Sequence, residues 1–190
     1  MMQILRTSAS RIWRSWRVEW RNPGVRVNYP VVWDFDDVSR IEIGREVYIG
    51  AFSELAVISQ SSFSSIPGFL SIGSRTQIGC GCNIRACGGR IEIGENCIVA
   101  QHVSLIAANH EIRSGAIYRD LQWDSSRHGI TIGSNVWLGA GVTILPGCSV
   151  GDNAIIAAGS VVTKDIPSDE IWGNIPARKM RSVSLDKTGA

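Results

Sequence analysis

The sequence predicts an all-β protein, a parallel β-helix built from hexapeptide repeats, with a short N-terminal helix and a long loop extruded from one corner. Three observations carry that expectation. Written in sixes, residues 132–167 read IGSNVW LGAGVT ILPGCS VGDNAI IAAGSV VTKDIP, with an aliphatic residue opening each block. The same openers recur upstream, at Ile43, Ile49 and Leu55, at Ile72, Ile78 and Ile84, and at Ile93, Val99 and Leu105. With Ile132, Leu138, Ile144, Val150, Ile156 and Val162 they make fifteen, all Ile, Val or Leu. The place after the opener is Gly or Ala except at Arg85, Ile106, Leu145 and Thr163. Self-similarity at a fixed short period is the mark of a solenoid.

Composition agrees. A chain of 190 residues with 44% hydrophobic and 19% charged residues has the size and balance of one globular domain. A net charge of +2 is too small to argue for a nucleic-acid partner. No run approaches the ~18 apolar residues of a membrane-spanning helix. The opening MMQILRTSAS has no apolar stretch long enough for a secretory signal. Five cysteines, an odd number, match no disulfide or zinc spacing. Cys82, Cys97 and Cys148 occupy the fifth place of their hexapeptides, where a small buried residue is wanted. A reducing, cytoplasmic location is expected, with membrane association of the N-terminal segment as a variant of it.

Taken in order, residues 11–21, RIWRSWRVEWR, set Trp13, Trp16 and Trp20 at helical spacing among arginines. This is a short helix that docks on the solenoid or on a neighbouring subunit; peripheral membrane contact through residues 11–21 is the alternative. Asn22-Pro23-Gly24 ends it as a turn. Residues 1–40 form this helix and an irregular lead-in, residues 41–167 the repeat region, and residues 168–190 a C-terminal tail. Three six-residue units close one triangular coil, and successive coils stack about 4.8 Å apart. Openers point inward, and the Gly or Ala behind each is expected to let the backbone turn the corner. All four exceptions follow the third opener of a coil, and the interruptions at 61–71, 90–92 and 111–131 follow third hexapeptides too. One corner is thus decorated, which often marks the working side of a repeat protein.

The densest stretch, IGSNVWLGAGVTILPGCSVGDNAIIAAGSVVTKDIP, and the GNIPAR at 173–178 resemble the hexapeptide-repeat acyltransferases over residues 41–181. The likeness is greatest to sugar O-acetyltransferases of the maltose, galactoside and capsule-polysaccharide type. That resemblance implies a left-handed coil, although the general rule for parallel crossovers favours the opposite hand. It implies a homotrimer with sites between subunits, acetyl-CoA as co-substrate, a saccharide hydroxyl as acceptor and no metal.

The resemblance also implies roles. His110, on the loop leaving the third coil, corresponds to the general base. An imidazole with an ordinary pKa of about 6.5 suits removal of a hydroxyl proton as that oxygen attacks a thioester. Asn83 corresponds to an amide that orients the acceptor or stabilises the oxyanion, or it is an Asn tolerated at a bend. Trp137, Ala140, Ala158, Thr163, Lys164 and Arg178 correspond to the acyl-CoA cleft, with Lys164 and Arg178 toward the phosphates or simply surface cations. The N-terminal segment departs from the maltose and galactoside enzymes, so acceptor contacts are placed by position alone, at Arg119, Asp120 and Trp123 and in residues 61–68.

Other classes fit less well. His102 falls at an outward turn position and His128 at the end of the long loop. The three histidines also raise the γ-carbonic anhydrases of the same fold, but their spacing does not match. The sequence contains no G-x-S-x-G elbow, which argues for direct transfer, and no Walker loop or strand-to-helix G-x-G-x-x-G. Transfer to an amino group, and a non-catalytic assembly solenoid, remain alternatives.

Overall fold

The computed structural model describes residues 13–183. The fold is a left-handed parallel β-helix of triangular section. Its first face is a five-stranded parallel sheet of Ile41–Ile43, Phe69–Ile72, Arg90–Ile93, Ile130–Ile132 and Cys148–Val150. The second face begins at Arg26–Val27 and runs through Tyr48–Ile49, Gln77–Ile78, Ile98–Val99, Trp137–Leu138 and Ile155–Ile156 to Glu170–Gly173. The third begins at Val32–Phe35 and continues through Glu54–Ile58, Asn83–Cys87, Ser104–Ile106, Thr143–Ile144 and Val161–Val162. Residues 26–35 therefore already form a partial coil. No helix among the described residues is long and apolar enough to cross a membrane.

All fifteen openers are buried, and they stack in register on each face, as in Ile78, Val99, Leu138 and Ile156. Burying each such side chain contributes roughly 1.5–3 kcal/mol, which makes the column the main source of stability. Cys82, Cys97 and Cys148 are buried among them, as expected. Burial pushes these thiols, and that of Cys87, above the ordinary cysteine range, so they sit as neutral core groups.

The reason for the second-place glycines differs from the one expected. None of those from Gly44 to Gly151 has a left-handed backbone. They are small because the next coil lies against them: a Cβ on Gly94 would stand 2.6 Å from the Gly133 carbonyl carbon, and one on Gly50 2.6 Å from the Cys80 nitrogen. The turning is done at the fourth place. Glu46, Arg75, Asn96, Asn135 and Asn153 at the first-to-second corner all have φ between 56° and 60°. Phe52, Gly81, His102, Gly141 and Gly159 do the same at the second-to-third corner, with φ between 59° and 70°. Asn and Gly tolerate that conformation best, and they fill six of these ten places.

The third-to-first corner has no such rule, and the insertions do leave from it. Their extent is corrected by the strands. Phe69–Ile72 and Arg90–Ile93 belong to the first face, so the first insertion is 59–68 and the one at 90–92 reduces to the Gly88-Gly89 turn. The large loop runs from 107 to 129.

Both ends of the prism are closed. At one end a helix over 13–21 packs by Val18, with Ser15 and Asn22 also buried. The Asn22 side chain donates to the Val18 carbonyl (2.8 Å) and accepts from the Ile43 backbone N–H (2.8 Å), which ends the helix and ties it to the first full coil. The tryptophans are not the docking face: Trp13, Trp16 and Trp20 are 55, 58 and 76% exposed. Residues 11 and 12 of the expected helix lie outside the described residues. At the other end Trp172 is buried, and Glu170–Gly173 pairs antiparallel with Arg178–Ser182.

Candidate functional site

The decorated corner builds a cavity of about 180 Å³ from Arg85, Cys87, Ile106, Ala108, His110 and Trp123. Its base is the end of the third face. Ala56, Arg85 and Ile106 stand side by side there in register. Arg85 and Ile106 are two of the four second-place exceptions in the sequence. Bulk is accepted at this corner because the chain leaves for the loops rather than tucking under the next coil.

The two loops lock together around His110. Residues 109–111 and 122–124 run antiparallel, with Glu111 N–H donating to Gln122 O (2.9 Å) and Asp124 N–H to Asn109 O (2.8 Å). Trp123 N–H donates to Phe63 O (2.8 Å), and the Gln122 amide donates to Ser62 O (3.3 Å), which joins the 107–129 loop to the 59–68 loop. Phe63 and Trp123 are stacked at 6.3 Å, and the His110 ring stands edge-on to both, at 5.9 and 6.3 Å. Gly88 explains how Trp123 fits, because a Cβ there would collide with the indole. The two-glycine turn is the floor on which the loop rests.

Both loops are anchored at their roots. Asp36 accepts from Ser59 and Gln60 N–H groups at 2.8–2.9 Å. Burial pushes its carboxyl up, but these backbone donors outweigh it and hold the group below the usual carboxylate range. Asp124 accepts from the Ser126 N–H and hydroxyl, which also holds its pKa low. Arg127 donates to Thr163 O (3.1 Å), fastening the returning loop to the last coil.

The histidine geometry decides its chemistry. Nδ1 of His110 lies 3.1 Å from Leu121 O. A carbonyl can only accept, so the neutral ring carries its hydrogen on Nδ1 and leaves the Nε2 lone pair free. Such a ring can take a proton at Nε2 while its orientation is held by the backbone and by two aromatic walls.

The remaining sequence candidates divide by location. Trp123 lines the cavity; Arg119 and Asp120 pair with each other (3.7 Å) in the exposed turn Tyr118–Asp120 and do not line it. Thr163 and Lys164 lie at the same corner of the prism as His110, with Lys164 Nζ 5.1 Å from the Trp172 ring centre. Asn83 starts the third-face strand at its opposite edge, and its side-chain oxygen is buried without a hydrogen-bond partner. Ala140 and Ala158 stack at that opposite edge, where Gly159 N–H donates to Ala140 O (2.8 Å). Trp137, half-exposed, and Arg178, on the closing strand, belong to the second face beside it. Within one chain the third face separates the His110 edge from the Ala140–Ala158 edge. Phe63 falls in the 61–68 stretch expected at the acceptor; Arg85, Cys87, Ile106 and Ala108 line the cavity without having been singled out as site groups, although Arg85 and Ile106 had left a signal as exceptions to the repeat. His102 sits over Gly81 at an outer turn. No group of three or more His, Cys, Asp or Glu among the described residues could hold a metal ion.

Comparison with known proteins bears on this arrangement. Residues 129–164 match the family described as bacterial transferase hexapeptide (six repeats). The galactoside O-acetyltransferase of Escherichia coli K12 is 32% identical over 136 residues, 68% of this chain and 64% of that enzyme. A solved galactoside acetyltransferase in complex with coenzyme A superposes with a TM-score of 0.55 at 29% identity, covering 88% of this chain and 68% of that one. Gamma carbonic anhydrase 2 of Arabidopsis thaliana mitochondria is 32% identical over 130 residues, 64% of this chain and 46% of that protein. The chain spans 64% of the E. coli relative and about half, or less, of the next curated relatives.

Proposed function

We propose that this chain, whose residues 129–164 match the bacterial transferase hexapeptide family, moves an acetyl or other short acyl group from coenzyme A to a saccharide hydroxyl. The observation that carries the reading is the His110 ring, held through Nδ1 by the Leu121 carbonyl with Nε2 left as acceptor. Nε2 takes the hydroxyl proton as the acceptor oxygen attacks the thioester carbon. The tetrahedral intermediate collapses, the C–S bond breaks, and the imidazolium returns the proton to the departing thiolate. A positioned base of this kind contributes about 10²–10⁴-fold. The likeness to galactoside acetyltransferases, one of them with coenzyme A bound, supports the acyl donor.

The division of candidates between two edges supports a site shared by neighbouring copies in a homotrimer. One copy offers His110, Thr163 and Lys164; the next offers Asn83, Trp137, Ala140, Ala158 and Arg178. Alanines at 140 and 158 leave room for the slender pantetheine arm, and Lys164 and Arg178 supply charge for phosphates. Phe63 and Trp123 form apolar walls suited to a sugar ring.

The test is acetyl-CoA incubated with a panel of mono- and oligosaccharides, including amino sugars, with free thiol measured. The proposal expects thiol release that requires a hydroxyl acceptor. Release with amino sugars alone would replace O-acylation by N-acylation, and no release with any acceptor would overturn the reading.

A further inference from the structure

The N-terminal helix carries more apolar surface than its docking uses. At about 100° per residue, Trp13, Trp16 and Trp20 share one side of it, Ser15 and Val18 the opposite side, and Arg14, Arg17 and Arg21 a flank between. The inner side is spent on the prism. The outer side holds three exposed indoles, two of them stacked at 6.2 Å, with the Arg17 guanidinium 4.6 Å over Trp13.

The patch does not stop at the helix. Trp16, Tyr29 and Pro30 line one open apolar cavity of about 410 Å³, and the Phe52 N–H donates to Pro30 O (2.5 Å). Phe52 is 75% exposed at φ 62°, the corner place that is Gly in three of the other four coils. Neither packing nor backbone geometry asks for a large aromatic there. Positive charge is gathered on the same helix. Residues 13–21 hold three arginines and one glutamate, a net +2, whereas the other 16 basic and 16 acidic residues of the chain cancel.

From exposed indoles, a flanking arginine stripe and this charge asymmetry, we infer that the helix over 13–21 and Phe52 attach the protein peripherally to an anionic lipid surface. Indoles settle at the headgroup boundary, where the ring is sheltered from water and its N–H is not. Arg17 and Arg21 beside them meet anionic headgroups, whereas Arg14 is held to the prism by Asp34 (2.8 Å), and a docked helix enters that boundary without any ordering of its own. The prism end would then face the membrane and set the decorated corner above it. The inference concerns residues that do not line the His110 cavity and does not rest on the acyl-transfer reading.

The experiment is co-sedimentation of the full chain with vesicles of phosphatidylcholine alone and of phosphatidylcholine with roughly one third phosphatidylglycerol. Binding to the anionic vesicles only, weakened by salt and accompanied by a blue shift of tryptophan emission, is expected. The Trp16→Ser/Trp20→Ser/Phe52→Ser variant, whose altered side chains are all exposed, is expected to melt like the parent and to bind at least about tenfold more weakly. Absence of binding to both vesicles would overturn the inference, as would undiminished binding by the variant. A change of oligomeric state in the variant would also overturn it, assigning the patch to contact between copies. Equal retention of parent and variant on a polyanion such as heparin, without lipid binding, would leave only a charge effect. Thiol release is not read, so acyl transfer stands or falls separately.

Discussion

At two corners of the prism every coil turns in the same way, with a left-handed fourth residue and a second residue pressed against the backbone of the next coil. At the third corner each coil does something different: a ten-residue loop, a pair of glycines, a loop of some twenty residues, then a short turn. At the uniform corners the second place holds only Gly or Ala, and a Cβ added at those glycines meets the next coil, so no large side chain stands there. The irregular corner carries Arg85, Ile106 and Thr163 at that same place, and above them two loops hold a histidine edge-on against a stacked pair of aromatic rings. Regularity supplies stability; the break in it supplies a cavity.

The contrast predicts separable losses. His110→Ala, at the irregular corner, should lower thiol release by about 10²–10⁴-fold while leaving the melting temperature and oligomeric state as they are. Leu138→Ala, in the uniform stack, should do the reverse: a loss of about 2–5 kcal/mol in denaturant unfolding, with turnover per folded molecule retained. Trp123→Ala should lie between them. It empties the cavity wall and frees the His110 hairpin, for roughly a tenfold fall in rate and little change in melting. The smallest effect belongs to Asp36→Asn. Its carboxylate is stabilised by the folded state, so its contribution is present above the unfolded pKa of about 3.9 and is lost as pH falls through the lower folded value. The parent should therefore lose grip on the 59–68 loop in acid, seen as faster proteolysis there, and the Asn variant should show that sensitivity already at neutral pH.

Much of this was legible in the sequence. The aliphatic column was, because every inward side chain recurs at a period of six and nothing else produces fifteen such openers. The identity of the decorated corner followed from the register of the exceptions. The role of Gly94 and its equivalents was not legible, since only the stacked coils reveal what a Cβ would strike. Arg85 and Cys87 were missed for a related reason: more than twenty residues separate them from His110, and no local pattern joins them. For the helix, spacing located the tryptophans on one side but could not say that Val18, rather than the indoles, faces the core.

The claim that joins the two edges of the third face is tested most directly by mixing chains. His110→Ala removes the base from one edge, and Ala158→Trp, at an exposed small residue, blocks the other. Each should be inactive alone and each should assemble normally. Co-refolded together, they should recover thiol release, because some mixed trimers bring an intact His110 edge against an intact Ala158 edge. Mixtures that assemble and stay inactive at every ratio would contradict the shared site and confine the reaction to a single chain.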